Sequence, residues 1–441
     1  MLISFTVENF RSIRDRQTLS FLRAGGGAVS RVTAGDDLAG GDVSPLAVVF
    51  GANASGKSTV LDAVDYVRWV VRSSARLEVG EPLPLEPFHL DASSRRRPFS
   101  TEMWFTIGAR EFEYSFTLRG GVVKDEQLRE AVRGPVKRSV RTLFSRTTDG
   151  TRAQITTSSY LPGAKKAIIA ATRPNSLFLS KAAQENFEPL LEVYDWFTEL
   201  GPDEPPTQRA LRGDRGVGRL ETDPAYKPWI VELLRQADFD VTDVDVAAPK
   251  TPPPPEIVKL FADSADTDAM AQATKMLYRA NRQPRLWHQG ASDGSAGYPL
   301  PWVTESRGTQ SLWDLASDVY GSLSTGRPLF VDELSSLHPV LVRAILEMYQ
   351  FHRSNPHGAQ LVFTSHDISL LGSFGGQGYV LDRDQIWFTE KDPSGATALT
   401  PLTDYKPRRD EDTERMYIQA RFGAVPSIGQ LSLPFEWTQD A

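Results

Sequence analysis

One segment near the start of the chain has the residue types and spacing that bind phosphate. Residues 51–58, GANASGKS, fit the pattern G-x-x-x-x-G-K-[ST] and lie between an apolar strand, residues 45–50, and the start of a helix. Glycines let backbone N–H groups turn towards phosphate oxygens, and the helix start adds its positive end. Lys57 is expected to reach the β and γ phosphates of ATP, and the Ser58 hydroxyl to ligate Mg²⁺. The predicted contact set is Gly51, Asn53, Ala54, Ser55, Gly56, Lys57, Ser58 and Thr59.

Three further polar side chains follow apolar strands later in the chain. Asp332 and Glu333 end the run RPLFVDE, and His366 ends LVFTSH. Because the carboxyl ends of parallel strands meet at one edge of a sheet, these groups are expected at the phosphate site. Asp332 would hold the metal, Glu333 would activate water, and His366 would sense the γ-phosphate. Taken alone, strand-end acids often serve as helix caps and a lone histidine is often structural.

The elements around these groups indicate α/β architecture interrupted by an insertion. A β-loop-α opening is followed by alternating strands over about residues 82–118, which predict an antiparallel meander. Residues 126–300 are less regular, with helices expected near 187–200, 226–237 and 262–280. Beyond residue 300, βα units return. We therefore predict a mixed sheet built from both ends of the chain. The expected domains are 1–125, an inserted helical region at 126–300, and 301–441.

Composition narrows the class of protein without identifying it. The chain has 441 residues, 40% of them hydrophobic, which indicates a folded protein. Its net charge is −7, so any contact with nucleic acid is expected to come from a local basic surface, a partner, or both. It has no cysteine, which excludes disulfides and thiolate metal sites. The start lacks the pattern of an export signal, and no apolar run is long enough to span a membrane. We expect a cytoplasmic protein.

The order of these segments resembles the ABC-type ATPase head, in particular the heads of the RecF, Rad50 and OLD-family proteins. It runs from the phosphate loop through an insertion to Ser306-Arg-Gly308, then Asp332-Glu333, and finally Ser365-His366. The Ser306 and Gly308 segment is similar to the signature motif, which in that family contacts ATP held by the opposite protomer. Ser335 and Ser336 fall where the family has its D-loop. The resemblance implies a homodimer, or a higher homo-oligomer, with ATP sandwiched between heads; an ordinary helix cap is the alternative for Ser306.

Two more residues are assigned through the same resemblance. Asn9-Phe-Arg11-Ser resembles an N-terminal element in which the arginine approaches nucleotide phosphate, so Arg11 is a candidate phosphate contact; a solvated strand-end charge is equally compatible. Gln184 is the candidate for the glutamine that approaches the metal in this family.

The C-terminal part resembles the endings of Rlo-type and abortive-infection ATPases, which act against phage. The similar segments lie in residues 384–392, 406–409 and 417–423. Such ATPases commonly work with a separate effector, often a Toprim-like nuclease or toxin. Only 75 residues follow His366, so an effector activity is expected in trans.

Two other functions stay open. A RecF-like repair or chromosome-maintenance ATPase would clamp DNA, using basic segments at 95–97 and 137–146, although charge runs are usually solvated faces. An ABC transporter subunit fits less well because of the long insertion.

Overall fold

The computed structural model contains three sheets and the helices around them. It describes residues 1–23, 43–133, 138–149, 152–200, 215–237, 239–247, 282–290, 297–334, 337–373, 378–408 and 411–423. Among these residues, no helix is both long and apolar enough to cross a membrane. The helix expected at 262–280 lies outside them, as do Ser335 and Ser336.

Strands and helices are numbered in chain order. The strands are β1 Leu2–Glu8, β2 Gln17–Ser20, β3 Leu46–Gly51, β4 Phe99–Ile107, β5 Arg110–Arg119, β6 Val122–Arg133, β7 Arg138–Asp149, β8 Arg152–Thr157, β9 Val241–Ala247, β10 Gln283–His288, β11 Tyr298–Leu300, β12 Leu329–Val331, β13 Leu361–Ser365, β14 Ile386–Lys391 and β15 Thr397–Pro401. The helices are α1 Lys57–Ser73, α2 Lys166–Ala171, α3 Phe178–Gln184, α4 Glu188–Thr198, α5 Arg215–Thr222, α6 Tyr226–Gln236, α7 Arg307–Thr325, α8 Pro339–Gln350 and α9 Thr413–Ile418.

A mixed sheet combines both ends of the chain, as the sequence predicts. Its strand order is β12-β13-β3-β14-β15, with the first four strands parallel and β15 antiparallel. Strand β3 is central and completely buried, which explains its run of apolar residues without alternation. Strands from distant parts of the sequence thus end at one shared edge.

The second large sheet is the predicted meander, in the order β2-β1-β4-β5-β6-β7-β8 with antiparallel pairing throughout. It continues past residue 125, because β6 runs from Val122 to Arg133 and β8 ends at Thr157. Residues 126–300 are therefore not purely helical in the described part. They also hold a small sheet, in the order β11-β10-β9.

Helix α1 lies between the two large sheets. Its apolar residues recur at helical spacing, with Val60, Val64, Val67 and Val71 all buried. They pack in one core with the meander and with one face of β3; the other face of β3 packs in a second core with α6, α7 and α8. This burial on both sides fixes the start of α1 against the edge of the mixed sheet.

Candidate functional site

The phosphate-binding motif forms a tight loop between β3 and α1. Ala54 and Gly56 both have left-handed backbone angles, with φ of 62° and 107°. Such angles are costly for a residue with a side chain and persist only where the surroundings enforce them. Asn53, Ala54 and Ser58 are exposed at the surface of the loop. The loop is therefore both constrained in shape and open to a ligand.

Lys57 lies inside this loop. Its Nζ donates to the carbonyl oxygens of Gly51 at 2.9 Å and Ala52 at 3.0 Å, and the residue is 7% exposed. Burial lowers the pKa of the ammonium group below its usual value, while the negative charges of Glu333 and Asp332 oppose that shift. The lysine and the two acids are thus close enough to interact electrostatically.

A threonine on the neighbouring strand holds both acids. Thr364 of β13 is buried; its Oγ1 donates to Asp332 Oδ1 at 2.8 Å and accepts from the Glu333 backbone N–H at 2.9 Å. Glu333 has a left-handed φ of 63°, which turns the chain sharply after β12. The structure brings the two predicted acids to the edge beside the phosphate loop. Thr364 was not predicted from the sequence.

His366 follows directly after β13, whose residue Ser365 pairs with Phe50 of β3. The parallel register therefore places His366 level with Gly51, at the start of the phosphate loop. Its side chain is exposed, as are those of Asp332 and Glu333. The strand-end residues of three adjacent strands thus meet at one edge, as the sequence predicts.

Arg11 lies near this edge but is engaged by acids. Its guanidinium bonds Asp62 and Glu86, and its backbone N–H donates to the Glu86 carbonyl at 2.6 Å. Asp62 is one helical turn beyond Ser58 on α1. Burial raises the pKa of the Asp62 carboxyl; Arg11 opposes the shift, and the nearby charge of Asp332 adds to it. Asp62 is a further candidate site residue that was not predicted from the sequence, although its i, i+4 spacing from Ser58 was visible.

Gln184 lies away from the phosphate loop. Its assignment as a metal ligand is therefore wrong. It ends α3, where its Oε1 accepts from Lys181 Nζ at 3.0 Å. Helix α3 is bonded to the far end of α1, with Ser180 Oγ donating to the Val71 carbonyl at 2.6 Å. Val71 is fourteen residues beyond Lys57, or roughly 21 Å at 1.5 Å per residue. The apolar run that suggested Gln184 reflects core packing.

Ser306 caps the start of α7, where its Oγ accepts from the Thr309 N–H at 3.0 Å. A β-carbon added to Gly308 would meet only Ser306 Oγ at 3.7 Å and Phe239 at 4.0 Å, so the helix start is open. Within the described residues, no hydrogen bond links Ser306 or Gly308 to the phosphate loop of the same chain. Ser306 therefore acts as the helix cap of α7. If it also contacts nucleotide, that nucleotide would have to be bound by another copy of the chain.

Most described arginines of the candidate DNA-binding segments are already paired. Arg97 bonds Glu8 and Asp15, and Arg141 bonds Glu130. Arg146 is fully buried against Glu126. The described parts of these segments therefore offer little free positive charge to a phosphate backbone.

The fold and this edge define a P-loop ATPase of the AAA class. A family model described as "AAA domain, putative AbiEii toxin, Type IV TA system" matches residues 46–372, about three quarters of the sequence. The chain belongs to this family, so the predicted relationship to P-loop ATPases of abortive infection is confirmed.

Comparisons with other proteins add only similarity of fold. An SMC head domain from Thermotoga maritima is 12% identical with a TM-score of 0.38, covering 91% of this chain and 98% of that one. An SMC head bound to the C-winged helix domain of ScpA is 11% identical with a TM-score of 0.39, covering 90% and 96%. No curated protein sequence matches the chain significantly. Function must therefore be argued from the site.

Proposed function

We propose that the protein binds and hydrolyses ATP and acts as a nucleotide-driven dimeric switch in bacterial anti-phage defence. The observation that carries ATP binding is the single edge at which Lys57, Asp332, Glu333 and His366 meet. Backbone amides of a constrained loop, a buried ammonium and the start of α1 together suit a triphosphate. Family membership supports the role in defence.

The residues at this edge also suit Mg²⁺. Magnesium is usually held by one or two carboxylates together with nucleotide phosphates and water. Ser58 and Asp332 supply a hydroxyl and a carboxylate, and the described residues contain no cluster of three acidic, histidine or cysteine side chains that would form a separate metal cage. The ion would neutralise charge on the phosphates when bound.

The protein's own groups would divide the work of hydrolysis. Lys57 is held by loop carbonyls and would turn its charge to the β and γ phosphates. Glu333 would accept a proton from the attacking water. Asp332 is fixed by Thr364 and would keep the metal in position. His366 would contact the γ-phosphate and so distinguish ATP from ADP.

The proposed dimer uses the open start of α7, the segment that is similar to the ABC signature motif. Ser306 and Gly308 do not serve the phosphate loop of their own chain, yet a capped helix start with an open glycine can receive an anion. Placed against a second copy, it would contact the γ-phosphate of the ATP in that copy. ATP would then stabilise the closed dimer, and a separate effector protein, a Toprim-like nuclease or toxin, would respond to closure.

The variant Glu333→Gln tests this proposal. It removes the proton acceptor while keeping the shape of the side chain, so hydrolysis should fall by about 100-fold or more and ATP binding should remain. Size-exclusion chromatography with Mg²⁺ and ATP should then show a dimer. The control Glu232→Gln changes an exposed acid on α6 that pairs with Arg235 and should alter neither result. Undiminished hydrolysis, or a monomer with ATP bound, would contradict the proposal.

The alternative of a DNA clamp loses support because three of the described arginines in its basic segments, Arg97, Arg141 and Arg146, are paired with acids. The same ATP-loaded variant distinguishes the two functions. A clamp should bind linear duplex DNA with an affinity that falls steeply as salt rises, whereas a defence switch that senses a protein need not bind DNA at all.

A further inference from the structure

The phosphate loop is supported by a hairpin that lies beyond the part of the chain matched by the family model. That match ends at residue 372, whereas β14 and β15 span Ile386–Lys391 and Thr397–Pro401. Strand β14 pairs with β3 in parallel, which sets Thr389 opposite Gly51, the first residue of the loop. The hairpin is therefore in direct contact with the candidate site.

Thr389 contacts Phe50, the residue just before the phosphate loop, and Ser55 within the loop. Its Oγ1 lies 2.6 Å from Ser55 Oγ and donates to the Phe50 carbonyl at 3.2 Å. The residue is fully buried. A β-carbon on Gly51 would lie 2.3 Å from Thr389 Oγ1, so glycine at this position permits the close approach.

Thr397, on the other strand of the hairpin, also contacts Ser55 of the phosphate loop. Its Oγ1 donates to the Ser55 carbonyl at 2.9 Å and lies 2.8 Å from Ser12 Oγ, which in turn lies 3.0 Å from Thr59 Oγ1. A β-carbon on Gly56 would lie 2.2 Å from Thr397 Oγ1. Thr397 is 2% exposed, so these bonds are shielded from water. They join the loop to the N-terminal segment and to the start of α1.

We infer that Thr389 and Thr397 are positioning residues that hold the phosphate loop in its anion-binding shape before nucleotide arrives. The inference rests on the proposed binding of ATP. Ala54 has a left-handed φ of 62°, which is costly for a residue with a side chain, so the loop relaxes at this position unless its surroundings enforce the shape. A relaxed loop must be ordered during binding, which lowers the apparent affinity.

The test is the affinity for Mg²⁺-ATP, measured by calorimetry, of Thr397→Val, which has nearly the same volume without the hydroxyl. Losing a buried hydrogen bond of about 1 kcal/mol should weaken ATP binding about five- to tenfold. Thr397→Ser keeps the hydroxyl and should bind within about twofold of the unaltered protein. Thr389→Val is a second, independent variant and should weaken binding in the same direction.

Thr101→Val is the matched control. Thr101 is also a buried strand threonine, and its hydroxyl donates to the Thr6 carbonyl at 3.0 Å in the meander. It should lower the melting temperature in the same way as Thr397→Val and leave ATP affinity unchanged. Unchanged affinity in Thr397→Val, or equal loss in Thr101→Val, would overturn the inference. Failure of the unaltered protein to bind ATP would instead contradict the proposed function, and the inference with it.

Discussion

At the scale of single residues, spacing in the sequence predicts some members of this site and not others, and Asp62 is an example of the second kind. The loop motif identifies Lys57 and Ser58 because the spacing itself encodes the chemistry. Asp62 follows Ser58 at i, i+4, yet its closeness to Asp332 appears only when β12 is placed beside β13. Thr389 and Thr397 could not be predicted, since their contacts with Ser55 join positions more than 330 residues apart.

Removing the charge of Asp62 tests its part in the site. Asp62 and Asp332 are like charges in one region, which favours a divalent cation between the protein and the phosphates. Asp62→Asn should therefore raise the Mg²⁺ concentration needed for half-maximal ATP binding by about three- to tenfold, as expected for a nearby unit charge at intermediate dielectric. A titration of Mg²⁺ at fixed ATP measures this. Asp65→Asn, on the same helix, is the comparison, and an equal shift in both variants would refute a specific role for Asp62.

At the scale of elements, hydrophobic pattern predicted the strands that bury apolar side chains. It succeeded for β3, β12 and β13, and for α4 and α6. It failed to extend the meander through β6 and β7 because their inward positions include Glu126, Glu130 and Arg146, all buried. Buried ion pairs replace the apolar half of the alternation, so a period of two is no longer visible.

The buried pair between Glu126 and Arg146 should therefore be important for stability. Glu126 also accepts from Tyr114 and from the N–H groups of Phe178 and Leu179 at the start of α3. Glu126→Gln leaves the Arg146 charge buried without its partner. The free energy of unfolding, measured by urea denaturation, should fall by about 3 kcal/mol.

The control for this prediction is Glu102→Gln, on β4. Its partner Arg16 is exposed, so the loss should stay below about 1 kcal/mol. If both variants lose a similar amount of unfolding free energy, the buried pair contributes no more to stability than the exposed pair.

At the scale of the whole molecule, the two ends of the chain form one unit. Gln360, just before β13, is buried; it accepts from the Leu2 N–H at 2.6 Å and donates to the Leu2 carbonyl at 2.8 Å and the Ser44 carbonyl at 3.1 Å. It thus joins the meander to the mixed sheet. The sequence predicted that both ends share a sheet because the motif order requires it. The small sheet formed by β9, β10 and β11 was missed, since more than thirty residues separate β9 from β10.

The central claim is that nucleotide binds at the edge where Lys57 and the strand-end acids meet. Calorimetric titration of Mg²⁺-ATP into the unaltered protein and into Lys57→Ala tests it most directly, with Lys227→Ala, an exposed lysine paired with Asp243, as control. If Lys57 contacts the phosphates as proposed, loss of its buried charge should weaken binding by about 100-fold or more. The unaltered protein and the control should bind alike. Equal affinity in Lys57→Ala would contradict the account.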